Sequence, residues 1–191
     1  MMEQTQYIKK IFYNDTHAPY QQLSELLHAS FQERIEANLN FGCATFTPEE
    51  LKEATSDSYI VCYFDENTPI AMGVLAIKKK LGIRYGVFEF LAVSPDEKYR
   101  RKGLGGAVQR ERVCVANELG LGFITSSTAI DAVSSVKCHL KTGFKIYRKK
   151  HYMNRNYVSY CFIYPLKHDL FNTLFMFMRK PIYSISEFLV K

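Results

Sequence analysis

Three consecutive cations lead into glycines in Arg100-Arg101-Lys102-Gly103-Leu104-Gly105-Gly106, and residues of these types in this order suit the holding of an anion. Upstream, Val87-Phe88-Glu89-Phe90-Leu91-Ala92-Val93 alternates and is rich in aromatic and β-branched residues, as a strand is, and Ser94-Pro95-Asp96 halts it. Downstream, Leu104, Val108, Val115 and Leu119, with Ala107 alongside, recur on one helical face. Gln109, Arg110, Arg112 and Glu118 fall elsewhere, and Gly120 supplies a stop. A helix that opens on glycines lets a ligand approach its backbone, and its uncapped N–H groups, backed by the helix dipole, form an anion site. For a lone Gly-x-Gly, a glycine loop with a solvated charge cluster would be the plainer reading.

Two common phosphate motifs fail on these residues. A Walker loop needs four residues between its first Gly and a Gly-Lys-Ser/Thr, and a dinucleotide fingerprint needs a third Gly or Ala where Val108 stands. What remains is Arg100-x-x-Gly103-x-Gly105 after a strand ending Leu91-Ala92-Val93-Ser94-Pro95. This resembles the acyl-CoA-binding signature of the GNAT superfamily of N-acyltransferases. The resemblance implies a mixed α/β (α+β) fold: a twisted, mostly antiparallel sheet with one parallel strand pair at the acyl-CoA crevice and helices on both faces. It implies acetyl-CoA as co-substrate, with no metal, held by Leu91, Ala92, Val93, Arg100, Arg101, Lys102, Gly103, Leu104, Gly105 and Gly106. Many members also carry Asn-x-x-Ala-x-x-x-Tyr before Gly-Phe. Counting back from Gly143-Phe144 places Ala132 at the Asn, Ser135 at the Ala and His139 at the Tyr. The usual Asn is thus missing, with Asp131, Ser134 or Ser135 as stand-ins, and Ser134 and Ser135 join the expected cofactor contacts.

Acyl transfer to an amine sets three chemical demands. The amine attacks only when neutral, and at a reference pKa of about 10.4 it needs a base or a desolvating pocket. Glu89 is the best base: an acid in an otherwise apolar strand, four residues before Val93, where members of the family often have Glu. The alternative is a structural ion pair with Arg84 or Lys145. The tetrahedral intermediate needs donors, and the resemblance implies a backbone N–H at the splayed end of the Phe88–Val93 strand. The thiolate needs a proton or a donor. His139, with a reference pKa of about 6.5, is the candidate, against a surface or capping role on a short helix. Cys138 next to it points about 100° away around a helix, so a Cys-His pair is not expected and the thiol belongs to the core.

These residues need a frame. Tyr7 to Tyr13 is a strand and the apolar period from Tyr20 predicts a long helix reaching Leu39. Asn40 to Thr45 is loop, and Thr47-Pro48-Glu49-Glu50 opens a short helix with a cap, an N1 proline and first-turn acids. Phe31 to Phe46 either walls the acceptor pocket or simply packs. Tyr59–Phe64, Ile70–Ile77 and a strand from Arg84 form a meander, with Gly73 a bulge or close approach. Leu121 to Thr128 must run parallel to Phe88–Val93, since a strand–helix–strand crossover requires it. Ser134 to Thr142 is a short helix, and Lys145–Tyr152 with Tyr157–Pro165 form a hairpin around Asn154-Arg155-Asn156. Tyr147, Tyr152 and Tyr160 either line the acceptor site, as Phe31 would, or pack.

Composition bounds the rest. The chain has 191 residues, 47% of them hydrophobic, and a formal charge of +6, which fits one domain and an anionic ligand. Five scattered cysteines have neither metal nor disulfide spacing and suit a reduced, cytoplasmic protein; no secretory signal or membrane-length apolar run is present. Residues 1–168 are expected to form the catalytic domain. The apolar tail, 169–191, is expected to pack on it, with a homodimer contact or shallow membrane contact as alternatives. Three function classes follow: an N-acetyltransferase acting on a small-molecule amine, or on a protein α-amine or lysine; a non-enzymatic acyl-CoA-binding domain; and a nucleic-acid-binding module. The last is disfavoured, because the basic cluster leads straight into Gly-x-Gly instead of lying across a face with stacking aromatics.

Overall fold

The computed structural model describes residues 7–15, 17–37, 42–80, 82–151 and 157–166. The tail beyond 166, Tyr152 and the hairpin turn at 154–156 lie outside the described residues. In chain order the elements are β1 (Ile8–Tyr13), α1 (Tyr20–Glu36), a 3-10 turn (Gly42–Thr45), α2 (Pro48–Ala54), β2 (Ser58–Asp65), β3 (Thr68–Lys80), β4 (Ile83–Val93), α3 (Leu104–Glu118), β5 (Phe123–Ala129), α4 (Val133–Lys141), β6 (Lys145–His151) and β7 (Val158–Pro165). The strands form one seven-stranded sheet in the order β1-β2-β3-β4-β5-β7-β6. Every neighbouring pair is antiparallel except β4 and β5, as the crossover through α3 demands.

Two apolar layers sandwich the sheet. On one face Leu23, Leu26 and Leu27 of α1 and Leu51 of α2 pack on Ile60, Met72, Val74 and Phe90. On the other, Leu104, Val108 and Val115 of α3 pack on Ala71, Leu75, Phe88, Phe144 and Phe162. Helix α2 starts as expected: the Thr47 hydroxyl accepts from Glu50 N–H, the Glu50 carboxylate accepts from Thr47 N–H, and Pro48 occupies the first turn. Helix α1 spans Tyr20–Glu36, the expected end at Leu39 lies outside the described residues, and part of the expected loop winds into the 3-10 turn.

The strand register carries the main departure from simple alternation. Gly73 faces Leu91 and Leu75 faces Phe88, so two steps along β3 match three along β4. Glu89 and Phe90 together oppose Val74, which makes a β-bulge. The parity of β4 therefore flips: Phe88 joins the α3-side core, whereas Phe90 joins the α1-side core. Gly73 itself is a close approach. A Cβ there would stand 2.6 Å from Val108 Cγ1 and 2.9 Å from Arg112 Cζ.

Behind the bulge, α3 departs from its expected polarity. Gln109 and Arg112 are buried, at 0% and 1% exposure. Arg112 follows Val108 by one helical turn and so shares the buried stripe. Its Nη1 donates to the Val74 carbonyl (2.9 Å) and its guanidinium carbon lies 3.9 Å from the centroid of the Phe88 ring. His139 of α4 is also buried, stacked on Phe162 with centroids 4.5 Å apart. Burial, reinforced by the Arg112 charge, pushes its pKa down to about 4 against the favourable hydrogen bond to the Ser135 backbone.

Two expectations follow for stability. Gly73→Ala should lower it by roughly 1–3 kcal/mol through overpacking, read as a shifted denaturant midpoint at unchanged slope. For His139 the unfolded chain takes up a proton as pH falls through 6.5, while the folded chain resists until about 4. Its contribution, complete above the unfolded pKa, is lost on acidification, by about 2–3 kcal/mol between pH 7 and 4.5. His139→Phe keeps an aromatic ring without the titration, so denaturation at the two pH values should show a correspondingly shallower loss than in the wild type.

Candidate active site

The parallel ladder between β4 and β5 covers only Gly86, Val87 and Phe88 opposite Ile124, Thr125 and Ser126. Past Phe88 the bulge begins and the two strands part. A sheet cannot leave backbone groups unpaired in its interior without another partner, so a fork of this kind favours a ligand between the strands. A cleft of about 1620 Å³ opens there, lined among others by Glu89, Leu91, Val93, Gly105, Ser126 and Ser135. It has room for a nucleotide-sized molecule and an acceptor together.

At one end of the cleft lies the turn that the cation-glycine run predicts. Gly103 takes φ +76° as the cap of α3, a left-handed conformation that strains other residues. Arg101 adopts φ +58° without being glycine, so the turn is locally strained as well as basic. No side chain caps α3, and its first turn contains no acid. The first-turn amides are thus available to an anion. Gly105 faces Leu91 and Val93 of β4: an added Cβ would be 3.7 Å from each side chain, close to filling the gap between helix and strand. Arg100 holds the turn, since its Nε donates to the Pro95 carbonyl at 2.7 Å. The exposed Arg101 and Lys102 surround the same end.

The candidate catalytic residues are distributed around the fork. Glu89, in the bulge, lines the cleft and keeps access to solvent. Desolvation by its neighbours still raises its carboxyl above the ordinary range, partly opposed by Lys78. Among the described residues it makes no ion pair with Arg84 or Lys145. His139 borders the cleft from behind Ser126. As a neutral imidazole, its Nδ1–H donates to the Ser135 carbonyl (2.9 Å) and its Nε2 accepts from the Ser126 hydroxyl (2.8 Å). The Gln109 carboxamide abuts Nδ1 at 3.3 Å. This is a buried structural knot, and neither the surface nor the capping role weighed from the sequence describes it.

Of the Asn stand-ins, Ser134 and Ser135 line the cleft, and Ser135 Oγ accepts from Thr128 Oγ1 at 3.0 Å. Asp131 is engaged elsewhere: Arg34 Nη1 donates to its carboxylate at 2.8 Å, tying α1 to the loop before α4. Phe31 and Tyr147, expected to line an acceptor site, line the cleft. Tyr160 does not; it packs against the α3-side core with the Lys149 ammonium 5.6 Å from its ring centroid. Strand parity explains the correction, because Cys161 and Ser159, its neighbours on β7, are the ones that face the cleft. Tyr157, Ser126 and Arg112 line it without having been singled out as site residues. Only Arg112 had a legible signal, its four-residue spacing from Val108.

The Phe46 carbonyl accepts from both Ser24 Oγ (2.6 Å) and His28 Nε2 (2.9 Å) on α1, fixing the wall beside the pocket. Among the described residues, no group of three or more His, Cys, Asp or Glu could hold a metal, and no helix is long and apolar enough to cross a membrane. All five cysteines are thiols outside any disulfide; Cys62 and Cys161 are buried, whereas Cys114 is exposed and so departs from the core placement expected.

Solved structures similar in fold cover most of this chain. A GNAT-family acetyltransferase from Streptococcus pneumoniae superposes with a TM-score of 0.66 at 14% identity, covering 85% of this chain and 100% of that one. The yncA protein of Salmonella typhimurium, solved with its cofactor acetyl-CoA, gives 0.62 at 11% identity over 85% and 96% of the chains. The ribosomal-protein-S18-alanine N-acetyltransferase of Escherichia coli gives 0.60 at 11% identity, with the same coverage of 85% and 96%. At such identities the likeness shows the fold. No curated protein matches the sequence. The family model described as "Acetyltransferase (GNAT) family" matches residues 20–144, from α1 through the fork to the Gly143-Phe144 ending, and with well over half of the 191 residues inside that match the chain belongs to this family.

Proposed function

We propose that this protein transfers an acetyl group from acetyl-CoA to the primary amine of a small molecule, by direct attack of the amine while both substrates are bound. The observation that carries the proposal is the fork itself: a basic, uncapped helix start at one end and an acid in a strand bulge along the same cleft. The residues present fit the coenzyme. The α3 amides with Arg101 and Lys102 suit its phosphates, and Leu91, Val93 and Gly105 leave a narrow passage for its arm. Bound acetyl-CoA supplies the activated acyl carbonyl; the protein supplies position, donors and a proton acceptor.

Backbone N–H groups of β4 where it splays from β5 past Phe88 are the donors for charge developing on the acyl oxygen. Glu89 is the base that takes the amine proton, directly or through a water, and its raised pKa brings it nearer to the working range. His139 acts here by fixing Ser126, not as the proton source suggested by its place in the sequence, because its one N–H is committed to Ser135. A small acceptor is supported by the Arg34–Asp131 tie beside the cleft, which restricts room for an extended polypeptide. Cysteines kept as thiols suit a reducing compartment and hence the cytoplasm. Screening small amines and peptides while following free CoA tests the acceptor class, and turnover confined to peptides would refute this part of the reading.

Gly105→Asp should weaken acetyl-CoA binding by at least tenfold, since the new carboxylate stands where phosphate is received, while Gly105→Ala meets only ordinary contacts and should fold normally. Calorimetry on the folded Asp variant is the measurement, and unchanged affinity would remove the coenzyme site from this turn. Glu89→Gln should lower turnover chiefly at low pH, where the acceptor is mostly protonated, and leave acetyl-CoA affinity unchanged. A pH–rate profile overlaying that of the wild type would make Glu89 a structural residue.

A further inference from the structure

Arg112 is a buried cation without an acidic partner. At 1% exposure it forms no ion pair with any described residue, its Nε has no hydrogen-bond partner, and its Nη1 reaches only the Val74 carbonyl opposite the bulge. A charge withdrawn from water and left uncompensated is costly, whereas an apolar residue of similar size would fill the space between Gly73, Val108 and Phe88. The same side chain lines the cleft. Its guanidinium stacks on Phe88, the last β4 residue paired with β5, and so sits immediately behind the point where the strands part.

We propose that Arg112 is the electrostatic partner of the coenzyme sulfur, a fixed cation in the wall of the fork that stabilises the thiolate as it leaves. This inference rests on the acetyl-CoA reading given above. In the step concerned, the amine nitrogen forms a bond to the acyl carbon and the C–S bond breaks. Its electron pair leaves on sulfur, and the amine proton passes to Glu89. With the His139 proton committed to Ser135, no general acid is then needed at the sulfur; the counter-charge is already in place, in a site of low dielectric where it acts strongly.

The titratable groups facing Arg112 are Cys138 and His139, both on α4. Gly73, Val74 and Phe88, which face it from β3 and β4, do not titrate, nor do Val108 and Gln109 on its own helix. Burial lowers the Arg112 pKa to about 9, with Cys138 opposing, so the cation persists at neutral pH. His139 titrates well below neutrality and burial raises the Cys138 thiol, with Arg110 and Lys141 as further cations near it.

The test compares CoA with desulfo-CoA, which lacks the thiol, by calorimetry at pH 6.5 and 8.5. A protein that stabilises the thiolate gains affinity for CoA alone as pH rises. The CoA/desulfo-CoA affinity ratio should climb about tenfold in the wild type, stay within about twofold in Arg112→Gln, and retain several-fold of the rise in Arg112→Lys. Cys138→Ala should keep the full rise. A flat ratio in the wild type, an undiminished rise in Arg112→Gln, or loss of the rise in Cys138→Ala overturns the proposal. Were Arg112→Gln not to fold, the Lys variant decides, a flat ratio there overturning it. Failure of the wild type to bind either compound would refute the acetyl-CoA reading itself, whereas equal binding of both at each pH refutes only this inference.

Discussion

The bulge in β4 is the constraint on which the other features depend. One extra residue opposite Val74 turns Glu89 and Phe90 out of the ladder, reverses which face each later side chain meets, and coincides with the end of pairing to β5. A flush strand would close the fork and bury Glu89's neighbours on the opposite core. The bulge needs support from behind, and it gets it from α3, which can approach because residue 73 is glycine. Arg112 then reaches the Val74 carbonyl, so the cation and the irregular strand hold each other.

The inner wall of the fork is consequently polar but dry. His139, Ser126, Gln109 and Arg112 are all buried: the Ser126 hydroxyl on β5 donates to His139 Nε2 on α4, the Gln109 carboxamide abuts the other ring nitrogen, and the Phe88 carbonyl of β4 lies 3.3 Å from Ser126 Oγ. Such a network is stable only if the imidazole stays neutral, and the buried arginine reinforces that state. A histidine kept neutral with its N–H engaged makes a poor acid. The opposite wall is different in kind: Glu89 touches solvent, and Phe31, Tyr147 and Tyr157 line the cleft with it.

Much of this was legible in the linear chain, for definite reasons. The order of strands and helices follows from periodicity, the parallel pair from the length of the α3 crossover, and the capped start of α2 from Thr47-Pro48-Glu49-Glu50. The basic turn opening α3 was legible because glycines after cations mark a helix start with close backbone approach, and Gly73 because a glycine inside an apolar strand marks a close approach.

Other properties exist only once the elements are packed. Alternation along β4 does not reveal a bulge, so the facing of Glu89 had to come from its register against β3. Parity along β7 put Tyr160 into the core and its neighbours into the cleft. Asp131 was free to stand in for a missing Asn until α1 brought Arg34 within 2.8 Å. Residue type alone sets Arg112 and Gln109 on a polar face, and His139 near its solution pKa; burial between helix and sheet reverses each assignment. By itself the sequence determined which elements form and where a basic, glycine-rich turn opens an uncapped helix, because those depend on local spacing. The tertiary structure decided which charges are dry, which are paired and which face the cleft, because desolvation and Coulomb energy depend on neighbours distant in the chain.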